Sequence, residues 1–257
     1  MPNEPKPHVG RARNLLDAAA AVAVIGLSVT VIWSTVSAHR SAPPGARKPT
    51  QAAEAQLPSQ PLSLAGAQLD GNPRAPVAIV EYSDFQCPYC GVFARDTLPK
   101  IRQRYTTAGE VVLAFRQFPL TTIHPFALNS AIAAKCAAEQ DKYWEMHDAL
   151  FQDQRSLDDQ AIQVRATALG LDRGRFSSCM AKKAVGDEVD RDVAEGKTLG
   201  VSGTPTFFIG LTQPDGRVKV TQRLTGAQPL DQLDKVIDSL LEQVSAQHEA
   251  PRTVNQK

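Results

Sequence analysis

The chain has 257 residues, enough for one large domain or two small ones. It carries 28 Lys and Arg against 27 Asp and Glu, a formal net charge of +1, with the bases scattered among the acids. That balance argues against a nucleic-acid surface, so no nucleic-acid partner is expected.

Residues 1–14 form a basic tail with Lys6, Arg11 and Arg13. Within 15–38, the stretch from Ala18 to Ala38 holds no charge. Roughly 20 apolar residues span a bilayer as a helix. Basic residues ahead of such a helix favour an inside N-terminus. Val36-Ser37-Ala38 also fits a signal-peptidase site. The segment therefore reads as a transmembrane anchor or a signal sequence, and its length favours the anchor. Both readings put the rest of the chain outside the cytoplasm, in the periplasm or beyond the cell, where disulfides persist. A single-pass bacterial inner-membrane protein is the expectation, with release after cleavage near Ala38 as the alternative. Residues 39–63 are rich in Pro, Ala, Gln and Ser and read as a disordered linker. Residues 247–257 read as a flexible tail.

Between them the pattern is ordered. In 64–119, Val77 to Tyr82 is a buried-strand run, Pro88 to about Tyr105 a helix, and Val111 to Phe118 a second strand, giving a βαβ unit. Residues 120–198 read as helices. His124-Pro125 is expected to open one, with His124 as its cap. Tyr143, His147, Leu150 and Phe151 share a face, with Trp144 and Met146 in helix packing and His147 in the core. Ser156 with Asp159 suggests a capping box, and Gly170 a stop. Phe176, Cys179 and Met180 share one further face, and Val185, Val189 and Val193 another. In 199–246, Thr206 to Ile209 and Val218 to Gln222 read as strands around a Pro214-Asp215-Gly216 turn. The stripe from Leu230 to Val244 is a helix. The class is α/β: a βαβ unit and a ββα unit completing one sheet, with an inserted helical block.

Four cysteines stand at 87, 90, 136 and 179, and an even number fits disulfides or a metal. Cys87-Pro88-Tyr89-Cys90 falls where the first strand hands over to the first helix. Unpaired N–H groups there favour a thiolate, which is the nucleophile. Pro88 suits the first turn. Positions i and i+3 on a helix lie about 5–6 Å apart, within disulfide reach. Cys87 can therefore attack and Cys90 resolve the mixed disulfide. Zinc would need four ligands, and Cys136 and Cys179 are not paired in sequence, so no metal is expected. A purely structural CxxC bridge remains the other reading.

The motifs "APVAIVEYSDFQCPYC", "HPFALNSAIAAKCAAEQDKYWEMHDALF", "LGLDRGRFSSCM" and "GVSGTPTFFIG" together resemble the DsbA-like branch of the thioredoxin superfamily, over roughly residues 64 to 244. The resemblance implies a thioredoxin fold and thiol–disulfide exchange on protein substrates. It makes Cys87 the exposed attacking thiol and Cys90 the buried resolving one. It makes Thr204-Pro205 a cis-proline loop that, with Pro88 and Tyr89, meets an extended substrate strand. Glu81, a lone acid in an apolar strand, would lie under the thiols and move the proton of Cys90; the alternative is an edge acid reaching water. Cys136 and Cys179 would form a second, structural disulfide, or else stay as buried free thiols.

No cofactor is expected, because the cysteines carry the electrons. The implied partners are exported proteins with cysteine thiols or disulfides and a membrane redox partner, quinone-linked oxidase or electron donor. Tyr89, where the strongest oxidants carry His, adds no cation. Thr204 resembles the isomerase side of the superfamily. The expectation is a monomeric, membrane-tethered oxidase, with a reductase or isomerase and a noncatalytic peptide-binding chaperone as alternatives.

Overall fold

The computed structural model describes residues 57–249. The basic tail, the apolar run at 18–38 and most of the expected linker lie outside them. Among the described residues no helix is long and apolar enough to cross a membrane.

The central strand is β3 (Val77–Ser83), all seven residues of which are buried. It pairs parallel with β4 (Val111–Gln117) and antiparallel with β5 (Thr206–Thr212). Outside these lie β6 (Arg217–Thr225) beside β5, and two short strands absent from the sequence reading. The strand β1 (Leu62–Ser63) closes onto β6, and β2 (Gln68–Asp70) closes onto β4. The sheet order is β1-β6-β5-β3-β4-β2.

The linker expected over 39–63 thus gives way to structure before its end. Leu62 and Leu64 are buried, and Arg116 donates through Nη2 to the carbonyls of Ser63 and Ala65 at 2.9 and 2.8 Å. At the other terminus helix α8 (Leu230–Glu249) runs into the segment read as a loose tail. A bulge lies between Ile209 and Gly210, where a Cβ at Gly210 would stand 2.1 Å from the Lys219 carbonyl oxygen.

The helix after β3 is continuous but uneven. It consists of α1 (Pro88–Val92), a π-helical turn Phe93–Thr97, α2 (Leu98–Ile101) and a second π turn Arg102–Thr106. Pro99 explains the first π turn: it has no N–H to give, and its ring displaces the ladder behind it. At the second, both the N–H and the hydroxyl of Thr107 bond Arg102 O at 2.9 Å.

Between β4 and β5 the chain forms α3 (Ala127–Ala138), α4 (Tyr143–Gln152), α5 (Asp159–Ala168), α6 (Arg173–Met180) and α7 (Lys183–Thr198). The helix expected to open at His124-Pro125 opens at Ala127, because His124 is drawn to another partner described below. The cap of α5 is Asp158, whose side chain accepts from Ala161 N at 2.9 Å, in place of the Ser156–Asp159 box. Gly170 ends that helix with φ +72°.

Strand alternation divides the core. Val77, Ile79, Val111, Leu113, Phe207 and Ile209 meet Phe93, Leu98 and the Leu233–Ile237–Leu240 stripe of α8 on one face. Ala78, Val80, Tyr82, Val112 and Phe208 meet Phe118 and Val201 on the other. Each fully buried large apolar side chain contributes about 1.5–3 kcal/mol.

Candidate active site

Beyond the end of β3 the chain makes a tight turn, from Asp84 to Cys87, before α1 begins. Asp84 organises it. Its buried carboxylate accepts from Gln86 N at 2.7 Å, from Leu120 N at 2.8 Å and from His124 Nδ1 at 2.7 Å. Its carbonyl accepts from Cys87 N at 3.1 Å. This is the partner that takes His124 out of the helix-capping role. It also ties the thiol turn to the loop after β4.

Cys87 is the N-cap of α1, with extended backbone (φ −68°, ψ 123°), and Pro88 occupies the first turn. Both cysteines are free thiols in this structure. Cys90 is completely buried. Cys87, expected to be exposed, is only 4% exposed, because the Thr204-Pro205 loop covers it. Its Sγ donates to the Thr204 carbonyl at 3.3 Å across 117 residues of chain. The Thr204–Pro205 peptide bond is cis. The buried Thr204 hydroxyl has no hydrogen-bond partner.

The two sulfurs differ electrostatically. A hydrogen bond from Cys90 lowers the Cys87 thiol to about 6; burial opposes this, and the Thr204 side chain and the N–H groups of Cys90 and Tyr89 add to it. Cys90 is pushed well above the ordinary thiol value, first by burial and then by its bond and charge interaction with Cys87. Glu81 raises it further, while the Ser83 side chain lowers it. The two shifts favour the thiolate on Cys87 and the proton on Cys90.

Glu81 lies in the middle of the sheet, between Phe115 of β4 and Phe207 of β5. It is 1% exposed, and neither carboxylate oxygen has a hydrogen-bond partner. Burial lifts its pKa to about 8, against smaller lowering effects of Ser83 and Arg102. The reading of Glu81 as an edge acid reaching water is excluded by this position.

Around the turn, Tyr89 (66% exposed), Val92, Ile123 and Phe126 are large apolar side chains left open. Gln86 Oε1 accepts from Phe126 N at 2.8 Å and so holds the Ile123–Phe126 loop beside the thiol turn. Cys136 in α3 and Cys179 in α6 are joined by a disulfide. It lies in the same apolar cluster as Cys87 and Cys90. His147 is fully buried, with its ring against Phe85, Phe115 and Phe151, and burial pushes its pKa down. Among the described residues no three His, Cys, Asp or Glu side chains are grouped to hold a metal ion.

Sequence reasoning missed Asp84 and Gln154. The amide of Gln154 reaches the thiol turn from the helical segment and donates to the carbonyls of Phe85 and Cys87. Asp84 carried a faint signal, as a second acid just after the buried strand that holds Glu81. Gln154 carried none, because its contacts span more than sixty residues.

Comparison with known proteins adds the following. The thioredoxin family model matches residues 66–239. The Na(+)/H(+) antiporter NhaA 3 of Salinispora tropica is 40% identical over 139 residues, 54% of this chain and 21% of that protein. The chain thus spans about a fifth of the length of such antiporter relatives. A protein from Bacillus anthracis named probable disulfide bond formation protein D is 27% identical over 154 residues, covering 56% of this chain and 71% of its own. Among solved structures, Wolbachia pipientis alpha-DsbA1 superposes with a TM-score of 0.66 at 28% identity, over 73% of this chain and 97% of that one.

Proposed function

The chain belongs to the thioredoxin family, and from that premise we propose that it is a thiol–disulfide oxidoreductase that forms disulfides in exported proteins. The observation that carries this reading is the unequal thiol pair at the start of α1, with Cys87 lowered to about 6, first by its hydrogen bond with Cys90, and Cys90 buried and raised. A stabilised thiolate in the reduced enzyme makes the disulfide easier to reduce, and so a stronger oxidant.

In the forward reaction a substrate thiolate attacks Cys87 Sγ of the Cys87–Cys90 disulfide. The S–S bond breaks, a mixed disulfide forms on Cys87, and Cys90 leaves as a thiolate. Glu81, protonated near neutral pH, is the group suited to give Cys90 its proton. A second substrate thiolate then attacks the substrate sulfur of the mixed disulfide and releases Cys87 as thiolate. The substrate loses two electrons and the cysteine pair gains them. Reoxidation requires an electron acceptor, for which a membrane quinone-linked oxidase is the expected class.

The exposed apolar surface beside the covered Cys87 suits an extended peptide. Thr204 and Pro205 would pair with its backbone, and the rim of Tyr89, Val92, Ile123 and Phe126 would meet its apolar side chains. The Cys136–Cys179 disulfide fits an oxidising compartment, in keeping with an extracytoplasmic domain tethered through the apolar run at 18–38.

The test is an equilibrium titration of the Cys87–Cys90 pair against glutathione buffers. A potential near about −120 mV, the value of a strong oxidant, supports a disulfide donor. One near about −270 mV, the value of thioredoxin, refutes the donor and makes the protein a reductase.

A further inference from the structure

Gln154 follows α4 in the helical segment, yet its side chain ends in the thiol turn. Nε2 donates to Phe85 O and to Cys87 O, both at 2.8 Å, which engages both amide hydrogens. Oε1 accepts from Arg95 Nη1 at 3.2 Å, and the same Nη1 donates to Phe151 O at 2.7 Å. One side chain therefore links the turn before Cys87, the helix that carries Cys90, and the end of α4. The Cys87 carbonyl also accepts the first helical bond, from Gly91 N at 3.1 Å, so two donors fix its direction.

Gly91 supplies the space. A Cβ there would stand 2.0 Å from Gln154 Oε1 and 2.6 Å from Arg95 Nη1. Gly in a helix costs about 1 kcal/mol relative to Ala, so its presence needs a reason, and room for this amide is one.

We propose that Gln154 is a positioning residue of the thiol pair, holding the Phe85 and Cys87 carbonyls so that the first turn of α1 keeps its backbone N–H groups aimed at Cys87 Sγ. The proposal rests on the oxidoreductase reading above and adds a group that never touches sulfur or substrate. The plainer role for Gln154 is to supply hydrogen bonds to the Phe85 carbonyl and, beside Gly91 N, to that of Cys87. That role affects stability alone. A positioning role also changes the reactivity of Cys87, through the orientation of the Tyr89 and Cys90 N–H groups that favour its thiolate.

The experiment compares the full chain with Gln154→Ala and Gly91→Ala, each checked by circular dichroism. The rate of iodoacetamide alkylation of Cys87 is followed from pH 4 to 9. Gly91→Ala leaves Gln154 in the sequence but pushes its amide off the turn, and it decides the matter if Gln154→Ala does not fold. The expected result is a wild-type midpoint near 6 and a higher midpoint in both variants. One pH unit of change would slow alkylation about tenfold at pH 5, with rates converging at pH 9. A folded variant of either kind with the wild-type pH profile overturns the proposal. A midpoint in the unmutated chain near the ordinary thiol value would overturn the oxidoreductase reading with it, and that failure would be visible before any variant is made.

Discussion

Replacing Glu81 by glutamine removes a proton that the folded chain binds and the unfolded chain does not. Burial lifts Glu81 from its ordinary 4.5 to about 8. Below pH 4.5 both states are protonated, and above 8 both are ionised. Between these limits the native state holds the extra proton, so stability falls as pH rises. At about 1.4 kcal/mol per pH unit, the wild type loses about 3 kcal/mol by pH 7 and about 5 kcal/mol by pH 8. Glu81→Gln lacks this slope. The buried amide has its own cost, but that cost does not vary with pH. The assay is urea unfolding of both proteins at half-unit steps from pH 4.5 to 8, with Cys87 and Cys90 reduced and Cys136–Cys179 intact. The difference in unfolding free energy between variant and wild type should rise steadily in favour of the variant. Formation of the mixed disulfide, by attack of a substrate thiolate on the Cys87–Cys90 bond, should slow about a hundredfold if Glu81 supplies the proton to the departing Cys90. Parallel stability curves would refute the reasoning, because a carboxylate with that profile already reaches water.

Other perturbations test separate parts of the molecule. The double change Cys136→Ala, Cys179→Ala opens a loop with a sequence separation of 43 and should cost about 4 kcal/mol in chemical denaturation, while exchange at Cys87 survives. Arg116 and Asp192 form an ion pair at 2.8 Å with both side chains only 6% exposed. Arg116→Ala should cost about 3–5 kcal/mol, because it leaves Asp192 charged in the interior, and should leave the Cys87 alkylation profile in place. Asp84→Asn puts an amide where three donors converge and should cost about 2 kcal/mol. It should also raise the rate of Cys87 modification at pH 8, as the turn loosens from the loop after β4.

Legibility in the sequence followed the range of the interactions. The strand expected over Val77 to Tyr82, one residue short of its observed end, was readable because a strand buried on both faces is a nearly continuous apolar run, here broken by Glu81. The thiol turn was readable because a strand, two cysteines three apart and a helix-starting proline are neighbours in the chain. The strands β1 and β2 were not, since two or three residues carry no period. Their partners, β6 and β4, lie far along the chain. The expected exposure of Cys87 failed for the same reason, because its cover comes from Thr204. His124 was misassigned because its partner, Asp84, is 40 residues away. The π turn before Pro99 was open to a closer reading, since a second proline well inside the helix that starts at Pro88 must disturb the ladder behind it.

The apolar cluster around Phe85 has a mechanical consequence. Phe85 stacks on Phe115 with ring centroids 5.4 Å apart and packs against Phe151 at 4.9 Å, joining the end of the sheet to α4. Cys87, Cys90 and the Cys136–Cys179 bridge belong to this same cluster. The cysteines thus sit on a weld between sheet and helices: the sheet has two further clusters of its own, but the helices share their interior with the thiol turn. Hydrogen exchange at the slowest amides of α3 and of α1 should therefore occur through the same opening. Any free energy that oxidation of Cys87 and Cys90 adds or removes would be felt equally at both.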